Sequence, residues 1–244
     1  MNFRNFFGLF LTIVVIITSC KKQNDSFSSA PLSDYFPLQV GKYITYNLDS
    51  FVYINFGKKD TVRKYQVKDS VAEQIVDNLG RKGFRILRLI RKNALESWSP
   101  DNSFFAVPTA GTIELIQNNL RFIKLVSPIN NGFSWKGNRY LPSEIDPSYE
   151  FASAFMEDWD YTYQDVNTPL MIGTTRFDST ITVAEIDETQ GDPAVTQYAD
   201  KTYSIEKYAK GIGLIYREFL HWEYQSGNRA YKGYGEKMTI IDHN

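Results

Sequence analysis

From Tyr35 to Ile241 the chain alternates apolar and polar residues with a period of two, and Tyr, Phe, Val and Ile are abundant. Successive side chains of a strand point to opposite faces, so this pattern predicts half-buried β-strands. Thr61 to Lys68 is a clean case. Arg63, Tyr65 and Val67 share one face; Lys64, Gln66 and Lys68 share the other. Similar runs predict strands over Tyr43–Phe56, Phe84–Arg91, Thr112–Gln117, Leu120–Val126, Trp159–Val166, Thr175–Ile186, Thr202–Tyr208, Ile212–Tyr224 and Tyr231–Ile241. Turn residues punctuate them. Gly57-Lys58-Lys59-Asp60 and Ser226-Gly227-Asn228 read as turns, and Asn118-Asn119 as a type I′ hairpin, because Asn tolerates positive φ. Asp187 to Ala194 reads as a polar loop.

Two segments carry helical signals. Ser70-Val71-Ala72-Glu73 fits a capping box, with Val71, Ile75 and Leu79 on one helix face and Gly80 as a stop. The same residues also alternate, strands flank them, and Asn78-Leu79-Gly80-Arg81 would close a hairpin, so a strand is expected. Pro147 to Met156 begins with Asp146-Pro147, a good N-cap and first-turn pair, and predicts a short helix. The fold class expected is therefore mainly β. It is a single antiparallel β domain over residues 35–244, a strongly curved sheet, half-barrel or sandwich, with at most one or two short helices.

The N-terminus has a different character. Arg4 precedes an apolar stretch from Phe6 to Ile17, which ends at Ile17-Thr18-Ser19-Cys20. A positive start, a short apolar core and small residues before a cleavage point make a secretory signal. The stretch is shorter than the about 20 apolar residues of a membrane span. The chain's one Cys stands where a bacterial lipobox places it. Residues 1–19 thus look like a lipoprotein signal peptide, cleaved between Ser19 and Cys20, with Cys20 lipidated. Several acyl chains on one residue make a stable anchor, at about 0.8 kcal/mol per buried CH₂. Residues 20–34 follow as a flexible tether, made polar and breaker-rich by Asn24, Ser26, Ser28, Ser29, Pro31 and Ser33, with order beginning near Tyr35. Lys21 resembles the outer-membrane default of Gram-negative sorting; whether the domain faces the periplasm or the cell surface stays open.

Four patches in this order resemble the uncharacterised envelope lipoproteins common in Bacteroidota-type bacteria. They are Tyr35-Phe36-Pro37-Leu38 before Gly41, Gly132-Phe133-Ser134-Trp135-Lys136-Gly137, Phe177-Asp178-Ser179-Thr180-Ile181-Thr182-Val183, and Tyr208-Ala209-Lys210-Gly211-Ile212-Gly213-Leu214-Ile215. The resemblance implies one β-rich domain after a lipobox. It carries no activity and no catalytic residue.

Composition narrows the function classes. A chain 43% hydrophobic is not disordered, and a net charge of -1 offers no footprint for nucleic acid. No catalytic residue, metal site or cofactor is assigned. After the signal only His221 and His243 remain as imidazoles, and there is no Gly-x-Ser-x-Gly elbow and no Walker loop. His221 reads as a half-exposed strand residue. The carboxylates Glu157, Asp158 and Asp160, and Asp187, Glu188 and Asp192, read as solvated surface. The aromatic faces are more suggestive: Trp159, Tyr161 and Tyr163 share one strand face, and Trp222 and Tyr224, with Leu220, share another. Such faces serve as core, as a hydrophobic cavity or as a sugar platform. Core packing is the simplest of these; the same five residues are the candidate ligand-binding set.

The leading expectation is a lipid-anchored envelope protein, non-enzymatic, that binds or organises a partner held near the membrane. A carrier of a lipid or other hydrophobic ligand is the alternative, and it requires a continuous apolar cavity inside the curved sheet. A glycan binder or hydrolase is the third; it requires Glu157, Asp158 or Asp160 to converge with exposed Trp or Tyr.

Overall fold

The computed structural model describes residues 29–142 and 156–244. A single helical turn, α1 (Leu32–Tyr35), leads into β1 (Tyr43–Ile54), β2 (Lys59–Val76), β3 (Lys82–Arg91), β4 (Ser99–Pro108), β5 (Thr112–Gln117) and β6 (Leu120–Val126). Then come β7 (Ser134–Lys136), a 3-10 turn (Met156–Asp158), β8 (Asp160–Ile172), β9 (Thr175–Gln190), β10 (Tyr198–Ala209), β11 (Gly213–Gln225) and β12 (Ala230–His243). All twelve strands form one antiparallel sheet in the order β6-β5-β4-β3-β2-β1-β12-β11-β10-β9-β8-β7. The sheet is thus two six-stranded meanders zipped together by the first and last strands, with Leu48 opposite Met238. One mainly β domain is what the alternation demanded.

The two ends of the sheet come back together, so that it forms a nearly closed barrel. The Ile123 amide of β6 donates to Gly137 O at 2.7 Å. Trp135 Nε1 donates to Ile123 O at 2.9 Å. Tyr163 Oη on β8 accepts from the Val126 amide and donates to Val126 O, both at 2.8 Å. Trp135 also packs its ring against Tyr161 and Tyr163. Closure satisfies backbone groups that an open edge would leave exposed.

Turn chemistry follows the residues. Asn118 and Asn119 both sit at positive φ, 52° and 62°, as a type I′ turn requires. The β1–β2 turn falls two residues earlier than expected: Asn55 and Phe56 leave the strand for the left-handed region, and β2 resumes at Lys59. Residues 70–76 continue β2, and Asp77 closes the next turn by accepting the Leu79 and Arg81 amides. The helical pattern there yields to strand pairing on both sides, Val71 with Ile86 of β3 and Ser70 with Tyr43 of β1.

Three expectations are corrected. Asp187, Glu188 and Thr189 are strand, not loop, because β9 pairs with β10 as far as Gln190. Strand β4 was not foreseen, and neither was the short β7. Residues 29–34, assigned to the tether, already pack on the barrel. Leu32 is buried, Ser29 Oγ accepts from the Ile129 amide, and the Gly211 amide donates to Asp34 O. The helix expected at 147–156 lies almost wholly outside the described residues.

Candidate functional site

Alternation sends every second side chain of each strand into the barrel, and the inner set is not purely apolar. On β10 the inward column is Thr202, Ser204, Glu206 and Tyr208, all buried. Register then dictates the neighbours. Glu206 lies opposite Arg217 of β11, and Phe219 lies opposite Glu236 of β12. Asp69 of β2 lies opposite Arg88 of β3. Charged side chains are therefore directed into the lumen by strand register.

These charges are connected. Lys124 of β6 reaches Glu185 of β9 at 2.8 Å and Glu206 of β10 at 2.7 Å. Because β6 is remote from β9 and β10 in the sheet order, these ion pairs span the barrel closure. Arg217 lies 2.8 Å from Glu236 and 3.5 Å from Glu206. Ser204 donates to Glu185, Tyr208 to Glu206 and Tyr234 to Glu236. Arg88 takes both oxygens of Asp69, each at 2.7 Å. Buried charges persist only when paired and hydrogen-bonded, and here each carboxylate oxygen has a donor.

The pairing sets the protonation states. Burial alone would push the Glu185 and Glu236 carboxyls up. The cations, Lys124 for Glu185 and Arg217 for Glu236, outweigh it and hold both below the usual glutamate range. Burial would likewise pull Lys124 down, but Glu185 and Glu206 hold it above an ordinary lysine. Native Glu185 and Glu236 bind a proton less readily than in the unfolded chain. Their stabilisation is complete above the unfolded value of about 4.3 and fades as pH falls through the lower folded values. The Lys124 contribution is complete below an unfolded value of about 10.4 and fades as pH rises through the folded value. Burial holds the His221 imidazole below its ordinary value, so stability also falls as the unfolded histidine protonates near 6.5, and chemical denaturation across pH is expected to show maximal stability between about pH 7 and 10. A chain that grows more stable as pH falls from 5 to 3 would contradict this.

Beside the charges lies a cavity of about 460 Å³. Its apolar wall includes Ile86, Phe104, Leu115, Phe122, Trp159 and Phe219, and its polar wall includes Lys124, Glu185, Glu206, Arg217 and Glu236. The cavity borders all three apolar clusters of the fold. About a quarter of the Arg217 side chain is accessible although protein surrounds it; that surface belongs to the cavity.

The sequence-predicted aromatics divide. Tyr161 and Tyr163 point inward from β8 and are buried, and Trp159 is buried just before it. Trp159 and Tyr161 line the cavity; Tyr163 serves the seam instead. Trp222 and Tyr224 lie on the opposite face of β11 from His221. They are half-buried around Tyr231, which stacks on Tyr53. The two aromatic sets do not converge. Among the other candidates, Asp160 is exposed and pairs with Lys136, while its neighbours Trp159 and Tyr161 are buried. The expected convergence of these carboxylates with exposed aromatics is absent among the described residues. His221 is buried inside the barrel, contrary to the half-exposed reading, with Nδ1 3.0 Å from Thr202 Oγ1.

The lumen residues Asp69, Arg88, Lys124, Glu185, Glu206, Arg217 and Glu236 were missed. Strand alternation placed Glu206 in line with Tyr208, but the general rule that charges are exposed hid its meaning.

No family model matches the chain, and no curated protein does. Among solved structures, the crystal structure of a DUF1329 family protein from Desulfovibrio piger is similar at 10% identity and a TM-score of 0.21. The match covers 86% of this chain and 88% of that one.

Proposed function

We propose that this chain is a lipid-anchored protein of the bacterial cell envelope, held through Cys20, whose barrel carries an amphipathic ligand. The observation that supports it most is the lumen cavity, apolar on one side and charged on the other. Ligand sites of drug-sized molecules typically have volumes of about 300–1,000 Å³, apolar walls and a few placed polar groups. A cavity of about 460 Å³ falls in that range. The expected carrier cavity was continuous and apolar; this one has a polar wall, which favours a ligand with both a tail and a head. The lipobox at Ile17-Thr18-Ser19-Cys20 supports the anchor. An anchored barrel would sample molecules partitioned into the adjacent membrane and hold them out of water. The work is transfer rather than chemistry: apolar surface enters the lumen at about 25 cal/mol per Å².

Native mass spectrometry of the full chain, released from a neutral maltoside detergent, tests this. A reproducible extra mass, freed on denaturation, is expected after extraction from bacterial membranes or after adding dodecanol. A bare chain under both conditions would overturn the reading.

A further inference from the structure

The charges inside the barrel do not balance. Asp69, Glu185, Glu206 and Glu236 line the cavity against Arg88, Lys124 and Arg217. That is four carboxylates to three interior cations among the described residues. Lys42 also borders the cavity, but it donates to the backbone oxygen of Asn244 in an exposed bond and makes no ion pair with these carboxylates. Residues 143–155, which run up to Met156, contain no Lys or Arg in sequence.

Of the three interior cations, Arg88 and Lys124 are nearly inaccessible and fully engaged, while Arg217 exposes 26% of its side chain and its Nε makes no hydrogen bond. Arg88 is locked on both oxygens of Asp69. Lys124 and Arg217 are left to serve Glu185, Glu206 and Glu236, two cations for three carboxylates. Burial raises the Tyr46, Tyr161 and Tyr208 phenols, and nearby carboxylates raise each further, while Arg88 acts against this at Tyr46 and Arg217 at Tyr161. Charges held among buried neighbours interact more strongly than the same charges in water.

Accessibility says where a counter-charge would sit. Glu185 and Glu206 expose 4% and 3% of their side chains, and Glu236 exposes 14%. Glu236 is thus the carboxylate of this trio that an occupant can touch. The aromatic wall is also suited to a cation. Arg88 already lies over the Phe104 ring at 4.8 Å, and Lys124 lies 5.4 Å and 5.8 Å from the Tyr161 and Phe122 centroids. Such faces attract cations within about 6 Å.

We infer that the occupant of this cavity carries a positively charged amine head, seated beside Glu236, with its apolar tail along Ile86, Phe104, Leu115 and Phe122. The inference rests on the ligand-binding reading above and names its chemical class. An anionic head would add a fifth negative charge to the lumen. An ammonium completes the balance and leaves the existing pairs in place.

The test compares three molecules with one tail: dodecylamine, dodecanol and dodecanoate. Each is added at equal concentration to the full chain in neutral maltoside at pH 7, where an alkylammonium is charged as lysine is. Adducts are counted by native mass spectrometry. The amine is expected to be retained at least about tenfold more than the alcohol, roughly the 1.4 kcal/mol that a tenfold ratio represents. The carboxylate is expected to be retained least. In the Glu236→Gln chain the amine-to-alcohol ratio should collapse toward unity, and whatever dodecanol that variant still retains reports that its barrel is folded. Dodecanoate or dodecanol retained as well as the amine on the unmodified chain would overturn this inference and leave the carrier reading standing. Retention of none of the three would overturn both.

Discussion

Replacing Lys124 by Met is expected to destabilise the barrel by about 3–5 kcal/mol, the usual cost of removing one partner from a buried ion pair. The side chain is nearly inaccessible, and it neutralises two carboxylates that are more buried still. Met fills similar space, so the loss is electrostatic rather than a cavity effect. Glu206 keeps Tyr208 and a distant Arg217, while Glu185 keeps Ser204 and the neighbouring Tyr161 hydroxyl but no close cation. For a domain of this size the melting temperature should fall by on the order of 10 °C. The double variant Lys124→Met with Glu185→Gln should recover part of the loss, since an amide needs no counter-charge. A Lys124→Met melt within 2 °C of the parent would mean that solvent, not Lys124, solvates these carboxylates.

The second large effect concerns the seam. Trp135→Ala is expected to cost about 3 kcal/mol, toward the low end for buried aromatics because the residue is only half-buried. The cost should be local. Trp135 holds Ile123 O through its indole and covers Tyr161 and Tyr163, the second of which braces Val126. Hydrogen exchange should therefore accelerate first at the Ile123 and Val126 amides. The β1–β12 and β10–β11 amides should keep their protection until global unfolding. Trp135→Phe, which keeps an aromatic ring but loses the indole donor, should cost only about 1 kcal/mol. Uniform loss of protection around the sheet would show that the closure is not a separate stabilising unit.

Much of this architecture was legible because period-two alternation and turn chemistry agree. Thr112–Gln117, Asn118-Asn119 and Leu120–Val126 formed as predicted, each residue's local preference matching its place in the sheet. Strand β4 was invisible for the converse reason. Pro100, Asp101 and Asn102 disfavour strands, and only pairing on both sides, Leu89 opposite Pro100 and Phe105 opposite Ile116, overrides them. The site was half legible. Trp159 and Tyr161 were recognised as aromatic residues of one inward face. Alternation does not reveal that Lys124 will meet Glu185, because their contact depends on how the sheet curls back on itself. Nor does it reveal that a charged column faces a lumen rather than solvent.

The central claim is that the lumen is a binding site, and its own methionines can report on it. Met156 and Met238 line the cavity, whereas Met171 is exposed near the end of β8. The measurement is a methyl NMR spectrum of the full chain labelled with ¹³C-methyl methionine, recorded while dodecylamine is added in neutral maltoside. The account predicts that the Met156 and Met238 methyl signals shift together and saturate, while Met171 stays in place. Stationary Met156 and Met238 signals at saturating ligand, or a shift confined to Met171, would contradict it.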